Sequence, residues 1–351
     1  MSMDRPVTQR VVKPVAMGFN QGVDKGLDKG VDKGVDKGLD KGLAKTLAAR
    51  CAFDNVDMSD FYAASSLGGK GLAGLTAARE AGYALAPIQA QLNACQVQLW
   101  REQTQSLLVI IQATDAAGKD SIIRHVFSGL NPAGVRVAAF KQPTPAESAQ
   151  YYLTRYVNEL PARGCISVFN RSYYEDLIMP LAYPATLALT AAEAKRLVKR
   201  RAQEVVAWER ALIAERVAVI KFYLNVSKLE QARRLIDRID SPHKRYKFAL
   251  ADVRAHRDYA KLHTVSTAVL QRTHTHTTPW YVIPADHKPL ARWLMASILV
   301  QHLVKQLAEP VSAATHQTRK ATTKASWANA TLRPDWLEAR RELQDFVSQA
   351  R

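Results

Sequence analysis

Five short, nearly unbroken apolar runs constrain this chain more than any other feature. They are LLVIIQ (107–112), VRVAAF (135–140), CISVFN (165–170), VAVIKFYLN (217–225) and WYVIP (280–284). Helix-like segments separate them, near 119–128, 145–158, 190–214, 227–239 and 252–272, with another at 288–307. Strands without polar alternation are buried on both faces, which is the condition of a parallel sheet sandwiched by crossover helices. The expected fold class is therefore α/β. With 351 residues, 47% of them hydrophobic, the chain can bury a full core.

The two ends break this rhythm. Residues 22–45 read GVDKGLDKGVDKGVDKGLDKGLAK, and a glycine in every fourth position costs a helix about 1 kcal/mol each relative to alanine. Helical spacing begins only in ALAPIQAQLNACQVQLWREQ (84–103), with Leu92, Val97, Leu99 and Trp100 among its apolar positions. Residues 1–76 are thus expected to form a mobile extension and 77–308 the ordered domain. The remainder, 309–351, reads as an Ala/Thr/Ser-rich linker and a short helix at 333–350.

No apolar stretch is long enough to span a bilayer, and no apolar leader opens the chain, so a cytoplasmic protein without membrane partners is expected. Cys51, Cys95 and Cys165 are too few and too scattered for a disulfide framework or a zinc cluster. The net charge of +17 predicts a polyanionic partner: nucleic acid, an anionic membrane or inorganic polyphosphate. Charge alone does not choose among them.

Chemistry is concentrated at three places. ATDAAGKDSIIRHV (113–126) follows the first strand and opens a helix, where free backbone N–H groups and the helix dipole favour phosphate. Gly118 permits close approach of the backbone, Lys119 brings a charge, and Asp115 is a candidate magnesium ligand, with Asp120 and Ser121 as alternatives. The full G-x-x-x-x-G-K-[ST] pattern is absent, since Ala113 replaces the first glycine and Asp120 the hydroxyl residue. The second place is CISVFNRSYYEDL (165–177), where Asn170, Arg171, Ser172, Tyr173, Tyr174, Glu175 and Asp176 follow another strand. Ligands collect at the carboxyl ends of parallel strands, so this cluster is expected to face Lys119. The third is ARRLIDRIDSPHKRYKFALADV (232–253), in which Arg233, Arg234, Arg238, Lys244, Arg245 and Lys247 flank a break at Pro242. Six cations there are not expected all to find acidic partners locally, which reads as a mobile lid over phosphates, at about 228–258.

Taken in order, these stretches resemble the polyphosphate kinase 2 family, phosphate-loop phosphotransferases related in fold to thymidylate kinase. The resemblance rests on DAAGKDSIIRHVFSGLNPAGVRVAAFKQPT, PARGCISVFNRSYYEDLI, RIDSPHKRYKFALADV and PWYVIPADHK, and spans residues near 85 to near 305. The family's own loop looks like D-x-A-G-K with a non-hydroxyl residue next, so the incomplete motif is no sign of decay. The resemblance implies a three-layer α/β/α fold with a helical lid, inorganic polyphosphate as donor, a nucleotide as acceptor, and magnesium, or alternatively manganese, as cofactor. It implies catalytic Asp115, Lys119, Arg171, Glu175 and Asp176, with the metal at Asp115, Glu175 and Asp176. Phosphate would be held by Ala117, Gly118, Asp120, Ser121, Arg124, Arg234, Arg238, Lys244 and Lys247. Lys141, Asn170, Tyr174 and Asp286 would serve the nucleotide. RSYYED looks like the class whose members phosphorylate both nucleoside mono- and diphosphates, and a homo-oligomer, dimer or tetramer, is expected.

Two other readings remain. An ATP-dependent nucleoside monophosphate kinase would need a donor adenine pocket, for which the sequence carries no clear signature. A silent polyanion binder would have no use for Asp115, Lys119, Arg171 and Glu175 together. Specific nucleic-acid binding is disfavoured because aromatic side chains are not interleaved with the lid cations. His274 and His276 lie two apart with no acidic or thiol cluster, which reads as a surface loop.

Overall fold

The computed structural model describes residues 41–56, 58, 61, 79 and 82–308. All five apolar runs form strands: β1 (Ser106–Ala113), β2 (Val135–Ala139), β3 (Ile166–Asn170), β4 (Val217–Asn225) and β5 (Trp280–Pro284). They pair in parallel in the order β2-β3-β1-β4-β5. β1 is central and buried at every residue, which is why its sequence shows no alternation.

The helices fall into two groups, one on each face. α1 (Lys41–Cys51), α2 (Ala86–Glu102) and α3 (Lys119–Val126) pack with α11 (Lys288–Ala308). α6 (Glu175–Ala182), α7 (Ala191–Ala214) and α10 (Tyr259–Thr273) pack together, with α7 on β4. The expected three-layer arrangement is thereby present. Local chemistry fixes the helix starts: Thr190 and Glu193 form a reciprocal capping box for α7, and Ser227 caps α8 (Lys228–Asp240) through the Glu230 N–H.

Three expectations about the elements need correction. The segment 145–158 is two single-turn helices, α4 (Pro145–Ser148) and α5 (Thr154–Val157). The second axis lets Tyr156 enter the core, its ring centroid 4.6 Å from that of Phe140. The segment 252–272 likewise divides into α9 (Leu250–Arg257) and α10, broken at Asp258, whose carboxylate accepts the Tyr183 hydroxyl at 2.9 Å. Finally, packing does not begin at residue 77. α1 docks on α11 and β5, Ala52 bridges Tyr281 antiparallel, and Cys51, Met58 and Phe61 are buried in the core. Most of the GVDK repeat and the expected helix at 333–350 lie outside the described residues. Among the described residues no helix is long and apolar enough to cross a membrane.

Candidate active site

β1 and β3 are neighbours, with Ile111 opposite Asn170, yet their following helices α3 and α6 lie in opposite layers. Such a reversal opens a crevice at the strand tips. The loop 114–118 leaves β1 there and turns through Ala116 at φ 61° and Gly118 at φ 105° before α3. At Gly118 the φ, and not space, requires glycine: an added Cβ would meet nothing closer than Arg234 Nη1 at 3.7 Å.

Lys119 begins α3 and folds back over this loop, donating to the carbonyls of Ala113 (3.1 Å) and Thr114 (3.2 Å). Arg171 follows β3 at φ 65° and donates from Nη2 to Asp115 Oδ1 at 2.6 Å. Glu175 heads α6 and accepts a hydrogen bond from Gln112 at the end of β1. Four sequence candidates, Asp115, Lys119, Arg171 and Glu175, are therefore brought together. Burial pulls the Lys119 ammonium below its ordinary value, and Arg171 adds to this against Asp115, Glu175 and Asp120. Burial also pushes the Glu175 carboxyl up. Arg171, Lys119 and the Gln112 hydrogen bond oppose that rise, and the Asp115 charge adds to it.

Neighbouring candidates fall around this cluster. Asn170 Nδ2 donates to Asp120 Oδ1 at 2.9 Å, and Lys247 of the lid stands 4.0 Å from Asp120 Oδ2. Ala117 lies buried in the loop, while Ser121 turns its hydroxyl toward α11, accepting from Arg292 Nη2 at 2.8 Å. Arg124 is exposed on α3, and Lys141 is exposed after β2.

Other candidates are placed differently from the expectation. Asp176 points away from the cluster: its carboxylate accepts the Tyr156 hydroxyl at 2.7 Å and neighbours Arg201 and Arg155. Tyr174 is fully buried, so no nucleotide can reach it. Both it and Tyr173 donate their hydroxyls to Glu209 Oε1 at 2.7 Å. Arg234 is committed as well. Its five N–H donors meet Glu230 and the carbonyls of Ala116, Ala117, Ala285 and Asp286, which clamps the loop to the exit of β5. Asp286 accepts the Ser227 N–H at 2.8 Å and so fixes the start of α8.

The segment expected as a lid consists of α8, a 3-10 turn over Pro242–Lys247, and α9. Four of its six cations find acidic partners within the segment, while Arg245 meets a carbonyl and Lys247 stands near Asp120 of α3, in line with the expectation that not all six would be paired locally. Lys244 reaches Asp237 (2.7 Å), Arg238 reaches Asp252 (3.1 Å), and Arg233 and Arg234 share Glu230 at 3.9 and 2.8 Å. Arg245 donates to the Ile239 carbonyl at 2.8 Å. The fold-back at Pro242 accounts for Lys244–Asp237 and Arg238–Asp252, while the Glu230 pairs are neighbours on one face of α8.

Three further contributors carried no motif. Gln112 holds Glu175, Gln231 donates to the Asp115 carbonyl at 3.0 Å, and Lys221 anchors the Glu209 centre beneath Tyr174. The one available signal was polarity inside apolar runs, at Gln112 and at Lys221. Among the described residues no group of three His, Cys, Asp or Glu side chains could hold a metal by itself. Asp115 and Glu175 instead offer hard oxygen donors of the kind magnesium uses together with substrate phosphates. His274 is tied to Asp54 at 3.1 Å.

A cationic strand-tip crevice of this build defines a phosphate-loop α/β protein. Within that class, the model of the polyphosphate kinase 2 family matches residues 77–310, and the chain belongs to that family. It is similar to an AMP/ADP-polyphosphate phosphotransferase of Meiothermus ruber, 38% identical over 220 residues, which are 63% of this chain and 80% of that one. An ADP-polyphosphate phosphotransferase of Rhodopseudomonas palustris is 36% identical over 216 residues, 60% of this chain and 75% of the relative. The crystal structure of polyphosphate kinase 2 from Arthrobacter aurescens superposes with a TM-score of 0.65 at 31% identity, covering 77% of this chain and 93% of its own.

Proposed function

We propose that the protein transfers the terminal phosphoryl group of inorganic polyphosphate to a nucleoside mono- or diphosphate. The observation that carries this reading is the meeting of Asp115, Lys119, Arg171 and Glu175 at the adjacent tips of β1 and β3, in a chain of this family. The relatives named for AMP/ADP and ADP support an adenine nucleotide as acceptor.

In this reading the loop N–H groups and Lys119 hold the donor's end. Arg171 neutralises charge on the transferring group, and Arg238 and Lys247 close from the lid. Asn170 and Lys141 stand beside the acceptor. Asp115 and Glu175 would hold magnesium, which supplies charge neutralisation on the bridging phosphate oxygens. Attack is in line and needs no covalent intermediate with the enzyme. The family resemblance also supports a homo-oligomer and a cytoplasmic site of action, which light scattering and cell fractionation would test.

The deciding assay mixes the purified chain with magnesium, long-chain polyphosphate and either AMP or ADP, and separates the products. ATP formed only when polyphosphate is present is the expected outcome. Product formed with ATP as sole donor would favour a nucleoside monophosphate kinase instead. Lys119→Ala should lower turnover by about a thousandfold while leaving the unfolding midpoint nearly unchanged. Near-normal activity in that variant would remove Lys119 from the mechanism.

A further inference from the structure

A groove of about 370 Å³ opens between α7 and α10, in the layer opposite the phosphate-loop helix. Lys199, Ala202, Gln203, Val206 and Arg210 line it from α7, and Arg272 faces them from the last turn of α10. Lys199, Gln203, Val206 and Arg210 recur at intervals of four, three and four, so they form one stripe on a single helix face. At 1.5 Å per residue that stripe runs roughly 16 Å from one cation to the other.

The groove keeps its charge because the acids of α7 are occupied elsewhere. Glu193 closes the capping box, Glu204 is shared by Arg200 and Tyr152, and Glu209 is buried against Lys221. No carboxylate lines the groove, and among the described residues none of Lys199, Arg210 and Arg272 is ion-paired. Its ligand must be anionic, and the linear spacing of cation, amide and cation suits an extended polyanion better than a single compact phosphate.

We propose that this groove is a second contact for the polyphosphate chain, separate from the reacting end; this rests on the donor being polyphosphate. α7 starts near the strand-tip end, after α6, and finishes beside the start of β4. Lys199 therefore lies about two helical turns down the flank from the α7 N-terminus, and Arg210 three turns further. Only a long chain reaches from the crevice into the groove. A long donor is held at two places, and its effective concentration at the reacting site rises accordingly.

The test uses the full chain and the triple variant Lys199→Ala/Arg210→Ala/Arg272→Ala, with long-chain polyphosphate and tripolyphosphate as alternative donors. All three side chains are solvent-exposed, so the fold should survive. The KM for the long chain should rise about five- to tenfold, the scale of three exposed charge contacts. Its salt dependence should become shallower. KM for tripolyphosphate and for the nucleotide, and kcat, should not change. The charge-retaining variant Lys199→Arg/Arg210→Lys/Arg272→Lys should restore the long-chain KM. An unchanged long-chain KM, or an equal rise for both donors, overturns the proposal.

Equilibrium binding of end-labelled long-chain polyphosphate to the same proteins decides the point without turnover. If the unmodified chain shows no polyphosphate-dependent activity, the functional reading fails, while the groove still stands or falls on whether the triple variant binds more weakly.

Discussion

Glu175 shows how a single residue sets function against stability. Its carboxyl titrates above the ordinary carboxylate value, chiefly because of burial, although Arg171, Lys119 and Gln112 pull the other way. The folded state therefore binds a proton in a pH window where the unfolded chain does not. The stability linked to this group is complete below the unfolded pKa and is lost as pH rises through the folded one. Glu175→Gln should accordingly raise the thermal midpoint at pH 8, leave it unchanged at pH 4, and abolish most turnover. A midpoint lowered at pH 8 would show that its partners outweigh its burial. In the proposed mechanism Glu175 acts as the ionised carboxylate, so Gln112→Leu, which deletes a hydrogen bond to that form, should move the acidic limb of kcat/KM to higher pH. That Asp115, Lys119, Arg171 and Glu175 come together was legible because each has a fixed place after an apolar strand. Gln112 was not, since a glutamine ending such a strand looks like any strand residue. Tyr174 misled for the opposite reason: it sits beside Arg171 in the sequence, but the left-handed turn at Arg171 sends the next residues into the core.

At the scale of elements, the segment carrying Arg171 and Glu175 stands on a buried ion pair. Lys221 of β4 donates to Glu209 of α7 at 2.8 Å, to the Tyr174 hydroxyl at 3.1 Å, and to the Thr273 carbonyl at 2.8 Å. Thr278 donates to the same carboxylate oxygen, Oε2, at 2.8 Å, while the Tyr173 and Tyr174 hydroxyls take Oε1. Three secondary-structure elements and the β3–α6 turn are thus joined at one ion pair. Burial pulls the Lys221 ammonium down, and Glu209 opposes the shift. Removing one partner strands the other, so Glu209→Leu should cost about 3–5 kcal/mol in urea unfolding. Glu209→Leu/Lys221→Met should recover most of that loss, because an apolar pair of similar volume fills the site without a desolvation penalty. The double variant still lacks the acceptor for Tyr173 and Tyr174, and its kcat should remain about tenfold low. Full activity in a restabilised double variant would reduce the pair to a packing role. The succession of the five strands and of most helices was readable from apolar runs and helical spacing, but α1 and α6 were not. The breaks at residues 149–153 and 258 were not, because they answer to the burial of Tyr156 and to the Tyr183–Asp258 contact, which are tertiary facts.

For the whole molecule, the decisive feature is where the domain begins. The family match starts at residue 77, and the sequence before it has no sustained helical or strand period. Yet Asn225, at the tip of β4, donates through Nδ2 to the carbonyls of both Met58 (2.9 Å) and Phe61 (3.0 Å). Cys51, Met58 and Phe61 are each less than 5% exposed, and Ala52 pairs with Tyr281 on β5, the edge of the sheet. These contacts rest on a few apolar residues without a repeating pattern, so no periodicity argument could find them. Their loss would uncover an edge strand, reopen the core, and leave the Asn225 donors without protein partners. A chain beginning at residue 63 should therefore melt roughly 10 °C or more below a chain beginning at residue 41, given about 1.5–3 kcal/mol for each apolar side chain returned to water. It should also aggregate more readily on heating, as an uncovered strand edge invites pairing with another copy. Scanning calorimetry with light scattering on the two truncations separates these effects. Coincident midpoints would mean that the domain is complete without α1 and that the docked segment contributes nothing to its stability.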